Sequence, residues 1–159
     1  MARSRRIKAT GDAFYHITSR ITGRQFLLKE NRIKELMLDA LERAARFSGV
    51  HLGSFCIMDD HFHLLCQVPG DDPATVTEDQ LLDRLEALYG KKRADLYHDR
   101  WMILREKGEA QRVEDEQSRF RRRMNDLSQF VKTFKEVFRR GFSQEKESAK
   151  KEFTPKFSK

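Results

Sequence analysis

Along the first half of the chain, apolar positions alternate, then recur at helical spacing, then alternate again. Residues 14–21, Phe-Tyr-His-Ile-Thr-Ser-Arg-Ile, are rich in β-branched and aromatic types and predict a strand. Phe14, His16, Thr18 and Arg20 would share one face of it, and Tyr15, Ile17, Ser19 and Ile21 the other. Ile33, Leu36, Met37, Ala40, Leu41, Ala44 and Phe47 mark the apolar stripe of a helix over residues 30–47, with Gly49 where it would stop. Residues 50–70 hold two apolar-rich runs split by Asp59 and Asp60. An Asp pair suits a tight turn, so this segment predicts a β-hairpin, ended by Pro69 and Gly70.

The second half is helical in pattern. Leu81, Leu82, Leu85 and Leu88 support a short helix ending near Gly90, and Tyr97, Trp101 and Leu104 a second. The clearest stripe follows: Phe120, Met124, Leu127, Val131, Phe134 and Phe138, widened by Phe130 and Val137, predict one continuous helix that stops at Gly141. Residues 145–159 are rich in Lys, Ser and Glu and read as a flexible basic tail behind a single domain over 1–144. There are no internal repeats.

Charge changes this picture more than size does. The 159 residues carry a formal net charge of +7, unevenly distributed. Residues 1–34 hold nine Lys/Arg against two acids, and 117–144 hold eight against two, whereas 71–109 hold ten acids against seven bases. Basic ends around an acidic middle suggest a polyanionic partner, provided the two ends meet in the fold. The segment 71–118 reads as an acidic helical insertion. Two cysteines cannot form a disulfide scaffold, so a reducing, cytoplasmic setting is expected. With no run of 18 apolar residues, no membrane span or membrane partner is expected, and the basic N-terminus lacks the apolar stretch of a secretory signal.

The chemical signal is His61-Phe62-His63. On a strand, both imidazoles leave the same face, a natural start to a divalent metal site, although two ligands alone bind weakly. Phe62, Leu64, Cys66 and Val68 point the other way and offer an apolar surface for helices to cover. If Asp59 and Asp60 form a two-residue turn, Met58 pairs with His61 and Cys56 with His63, which sets Cys56 and Cys66 on opposite faces and argues against a disulfide. On pattern alone His16, His51 and His98 need no function.

Taken together, Phe14–Ile21, the helix, Cys56-Ile-Met-Asp-Asp-His-Phe-His-Leu-Leu-Cys-Gln-Val-Pro69 and Leu127–Ser143 resemble the REP-associated tyrosine transposases. These belong to the single-tyrosine HUH transposases and nucleases of bacterial insertion sequences. Met58 to Leu65 match the family's Met, two turn residues, His-hydrophobic-His and aliphatics, with Asp59-Asp60 where Pro-Asn is commoner; Tyr15-His16 match its N-terminal tyrosine-histidine pair. The resemblance covers about residues 5–70 and 117–144. It implies a ferredoxin-like α+β fold, an antiparallel sheet with helices packed on one face. It implies Mg²⁺ or Mn²⁺ at His61 and His63, a further ligand about one turn beyond a nucleophilic tyrosine on the late helix, and a homodimer acting on single-stranded or hairpin DNA.

The chain departs from the family at the nucleophile. Alignment of Ser128-Gln129-Phe130 and Phe142-Ser143 with the family helix puts Phe138 where the tyrosine belongs, and a shift of one turn puts Phe134 there. Neither ring carries an oxygen. The three tyrosines are Tyr15, Tyr89 and Tyr97, none on the late helix. Gln144 and Ser143 are the first candidates for the further ligand, with Asn125 and Gln129 behind them. Family members continue with another strand, so residues 151–157 either supply a small one or the copy is shortened. Arg20, Arg119, Arg121, Arg122, Arg123, Lys132, Lys135, Arg139 and Arg140 are the expected DNA contacts. The alternative to a transposase is a non-catalytic DNA-binding module derived from one; a Zn²⁺ hydrolase using Cys56 is a weaker third.

Overall fold

The computed structural model describes residues 11–20 and 28–152, with side chains as far as Glu145. Its order is β1 (Ala13–Arg20), α1 (Asn31–Ser48), β2 (His51–Ile57), β3 (His61–Val68), a short 3₁₀ turn at Pro73–Thr75, α2 (Glu78–Tyr89), α3 (Lys91–Glu106), α4 (Ala110–Arg121) and α5 (Leu127–Glu152). This is an α+β architecture. The three strands form one antiparallel sheet in the order β1-β3-β2, so the strand that carries His61 and His63 lies at its centre. Ile21 and most of the N-terminal basic run fall outside the described residues.

The hairpin adopts the expected register. Met58 N–H donates to the His61 carbonyl at 2.9 Å, and Cys56 pairs with His63. One irregularity, between Leu52 and Ser54, brings Gly53 into β2 as an extra residue. Cys56 is exposed and Cys66 buried, both with free thiols; burial pushes the Cys66 thiol up.

Alternation then sorts the sheet into two faces. Phe62, Leu64, Cys66 and Val68 are buried, and Phe134 of α5 meets Phe62 edge to face with centroids 5.7 Å apart. Helix α1 packs against α5, α2 and β2 and supplies Met37, Leu41, Ala44 and Phe47 to the core. Its end is set by Gly49 at φ 73°, where a side chain would collide with Asn125 and Arg84, at 2.8 and 2.9 Å from a Cβ. Helices α2 to α4 build a second layer around the fully buried Trp101. Thr77 and Gln80 open α2 with a reciprocal capping box.

The continuous late helix expected from the Phe120–Phe138 stripe is two helices. Asn125 takes φ 48°, a left-handed conformation that interrupts helical geometry. It is held there because its N–H donates to the Ser48 carbonyl and its side-chain amide to the Asp71 carbonyl, both at 2.8 Å. The Asp126 carboxylate then accepts from the N–H groups of Ser128 and Gln129, an N-cap that starts α5 afresh. Nor does the helix stop at Gly141. There a Cβ would sit 3.7 Å from Leu36, in ordinary contact with α1, and α5 continues to Glu152, so residues 145–152, expected in the tail, are helical. Of the segment 151–157, Lys151 and Glu152 end α5 and the rest lies outside the described residues. No helix among the described residues is long and apolar enough to cross a membrane.

Candidate metal centre and DNA-facing surface

The uncovered face of the sheet carries Phe14, His16, Thr18 and Arg20 from β1, and His61, His63, Leu65 and Gln67 from β3. The register sets Thr18 opposite His63 and Arg20 opposite His61. Phe14 is 71% exposed and Leu65 42%, so no described helix covers this face. The two imidazoles of β3 stand edge to face with centroids 5.4 Å apart.

Each of these rings is held through Nδ1. His61 Nδ1 lies 2.6 Å from Asp60 Oδ1. That hydrogen bond is the main reason the Asp60 carboxyl sits below its ordinary range; the His61 and Arg20 charges act in the same direction, and desolvation opposes them. His63 Nδ1 lies 3.0 Å from His16 Nε2 and 3.3 Å from Thr18 Oγ1, with the His16 and His63 rings stacked at 5.2 Å. Hence the strand pairing brings a third histidine to the pair. The available signal was the alternation of β1, which groups His16 with Thr18 and Arg20, but nothing in that strand alone says which strand it pairs with. With Nδ1 engaged on both, the remaining ring nitrogens of His61 and His63 are the atoms that could reach a divalent cation. Among the described residues, no group of three or more His, Cys, Asp or Glu side chains is placed to hold a metal ion.

Helix α5 lies on the opposite side. Phe134 touches Phe62, and Phe62 points away from its neighbours His61 and His63. Phe138 extends a ladder of rings, 6.3 Å from Phe134 and 6.1 Å from Phe142, half-buried against the core. Where α5 comes nearest to the edge of β1, a cavity of about 380 Å³ is lined by His16 and Thr18 on one side and by Leu127, Phe130, Val131, Phe134 and Lys135 on the other. None of those α5 side chains carries a hydroxyl. Gln144 and Ser143 are exposed, and Gln144 is ten residues, roughly 15 Å of helix, beyond Phe134. Asn125 holds the α4–α5 turn, and Gln129 is half-buried in the first turn of α5.

None of the three tyrosines lies on the histidine face. Tyr15 is half-buried on the covered face opposite Cys66. Tyr89 accepts from Arg123 Nη1 at 3.1 Å, and Tyr97 packs edge to face on Phe120 at 5.2 Å.

The cations expected to meet DNA separate into two groups. Arg121 donates to the Val76 carbonyl at 3.0 Å, to Gln117 at 2.9 Å and to Glu114 at 3.1 Å, tying α4 to the 3₁₀ turn. Arg123 donates to Tyr89 and, at 3.2 Å, to Thr133, and its guanidinium lies 4.8 Å over the Phe47 ring. These two hold the fold together. Arg119, Arg122, Lys132, Lys135, Arg139 and Arg140 are exposed. Arg20 is exposed on the histidine face, its Nε 4.0 Å from Asp60 Oδ2.

Compared with known proteins, residues 9–78 match the family model described as "Transposase IS200 like". The match contains β1, α1 and both strands of the hairpin, and so every residue of the histidine cluster. No curated protein and no solved structure matches the chain.

Proposed function

Over residues 9–78 this chain is of the IS200-like transposase family, and on that premise we propose that it binds single-stranded or hairpin DNA across the open face of its sheet, with a divalent metal at His61 and His63. Family membership carries a transposase-type function. The supporting observation is the histidine face itself: two imidazoles presented together, with Arg20 on the same face and Lys135 of α5 lining the cavity beside His16 and Thr18.

Mg²⁺ or Mn²⁺ held there would supply a Lewis acid for a phosphate oxygen of the bound DNA. His61 and His63 would hold it, and Gln144 or Ser143 are the candidates for the further ligand that the family resemblance implies. The protein acts as a homodimer, so a helix from one copy can serve the histidine face of the other.

Strand cleavage also needs an oxygen nucleophile. By the resemblance, Phe138, or Phe134 one turn earlier, stands where the family has its tyrosine, and the α5 side chains that line the cavity beside His16 and Thr18 are aliphatic, aromatic or cationic. The chain therefore binds the DNA of a transposase without cutting it. Labelled hairpin and single-stranded DNA test this with Mn²⁺ present. Binding that weakens steeply with salt and no covalent protein–DNA adduct are expected. An adduct overturns the non-cleaving reading, and no affinity at low salt overturns the DNA-binding one. Phe138→Tyr supplies the missing hydroxyl at minimal change in volume, and an adduct in that variant alone identifies the position.

A further inference from the structure

The two acids of the β2–β3 turn have different surroundings. Asp59 faces the helical side: its carbonyl accepts from Leu28 N–H at 3.0 Å, and its carboxylate lies 3.5 Å from Lys34 Nζ. Asp60 faces the histidines, with Oδ1 2.6 Å from His61 Nδ1. A tight turn requires no carboxylate at that position; Asn or Gly would serve its backbone as well. An ionised carboxylate can only accept, so His61 must donate through Nδ1–H, and a neutral ring then keeps its lone pair on Nε2.

The partners one pair along the strand are of another kind, since an imidazole and a hydroxyl can donate as well as accept. His16 Nε2 and Thr18 Oγ1 both lie within reach of His63 Nδ1, and both can accept. The two ligand histidines are thus each engaged at the same ring nitrogen by a neighbour outside the His-x-His motif.

We propose that Asp60 is a positioning residue for the metal centre. It fixes His61 as the Nδ1–H tautomer with Nε2 free to ligate, while His16 and Thr18 hold the His63 ring in place beside it. The inference rests on the reading of His61 and His63 as metal ligands. A partner at the distal nitrogen orients the ring and raises its basicity, and loss of such a partner typically costs 10–100-fold in metal affinity.

The full chain, free of metal, gives the first test. Ring-nitrogen NMR above the ordinary imidazole range should show His61 protonated at Nδ1 and bare at Nε2. Asp60→Ala should lose that preference, and Asp60→Asn, whose amide oxygen still accepts, should restore it. Mn²⁺ binding, followed by the electron paramagnetic resonance of the free ion, should weaken about 10–100-fold in Asp60→Ala and recover in Asp60→Asn. His16→Ala combined with Thr18→Val should weaken it by the same order. Circular dichroism on every variant separates these losses from unfolding. A wild-type His61 that carries its proton on Nε2, or an Asp60→Ala variant with unchanged tautomer and unchanged Mn²⁺ affinity, overturns the role of Asp60. A correct tautomer in a wild-type protein that binds no Mn²⁺ instead overturns the metal reading, and with it the purpose assigned to the anchor.

Discussion

Leu64 and Leu65 are neighbours on the central strand, and they have opposite fates: Leu64 is 1% exposed and Leu65 42%. The contrast extends along the whole strand. Every residue in phase with Leu64 is buried, and every residue in phase with Leu65 lies on the histidine face. One face holds the protein together and the other is free to meet a ligand. A single period-two alternation produces both.

The largest expected effect tests that division directly. Leu64→Ala should destabilise by about 2–5 kcal/mol, since it removes a fully buried side chain and leaves a cavity. Leu65→Ala should stay within about 0.5 kcal/mol. Urea titration of both variants gives the comparison. A large loss at Leu65 would mean that a second copy or another partner covers the open face in solution.

The cations divide in the same way. Arg123 donates to Tyr89 and Thr133 and lies over Phe47, so Arg123→Ala should cost about 1–3 kcal/mol by leaving buried acceptors unpaired. Lys135 is exposed beside the β1 edge, and Lys135→Ala should leave the melting temperature in place and lower the salt slope of DNA binding by about 1. Equal effects of the two substitutions on stability, or none of Lys135→Ala on the slope, would erase the distinction between structural and DNA-facing cations.

The smallest effect concerns the acidic layer. Glu116 accepts from Arg100 at 2.7 Å and from the Trp101 indole N–H at 3.2 Å, and the Arg100 hydrogen bond holds its carboxyl below the ordinary range against an opposing desolvation. Glu78, engaged by Arg105 and by Gln117 at 2.5 Å, is lowered for the same reason. A carboxyl depressed in the folded state contributes stability that is complete above its unfolded value and lost as the pH falls through its folded value. Thermal melts should therefore drop on the acid side, and Glu116→Gln should drop less steeply. Parallel curves would show that the ion pair does not hold α3 to α4.

Local pattern made much of the fold legible. The 30–47 stripe and Gly49 predict α1 to within a residue at each end, because side-chain period and a left-handed stop are properties of neighbours. The Asp59-Asp60 turn yields the true pairing of Cys56 with His63, because a two-residue turn sets the register of the strands it joins. The Phe120–Phe138 stripe misled for a related reason. Its apolar spacing runs through Asn125 without interruption, whereas the break depends on the Ser48 and Asp71 carbonyls, 77 and 54 residues away in the chain. The run Arg121–Arg123 reads as one basic patch, yet Val76, Tyr89 and Phe47, contributed by other elements, engage two of its three members.

By itself, the sequence determined that His61 and His63 share a face, that Phe62 and Leu64 oppose them, and that no tyrosine lies on the late helix. Each of these follows from residue identity and a repeat of two. Only the tertiary structure decided that His16 and Thr18 stand beside His63, that α5 lies behind the histidines, and that Asp60 rather than Asp59 meets the His61 ring. The pairing of β1 with β3 joins residues 41 to 55 positions apart across an intervening helix. Such a register is set by which face of each strand the shared core buries, and no local spacing contains it.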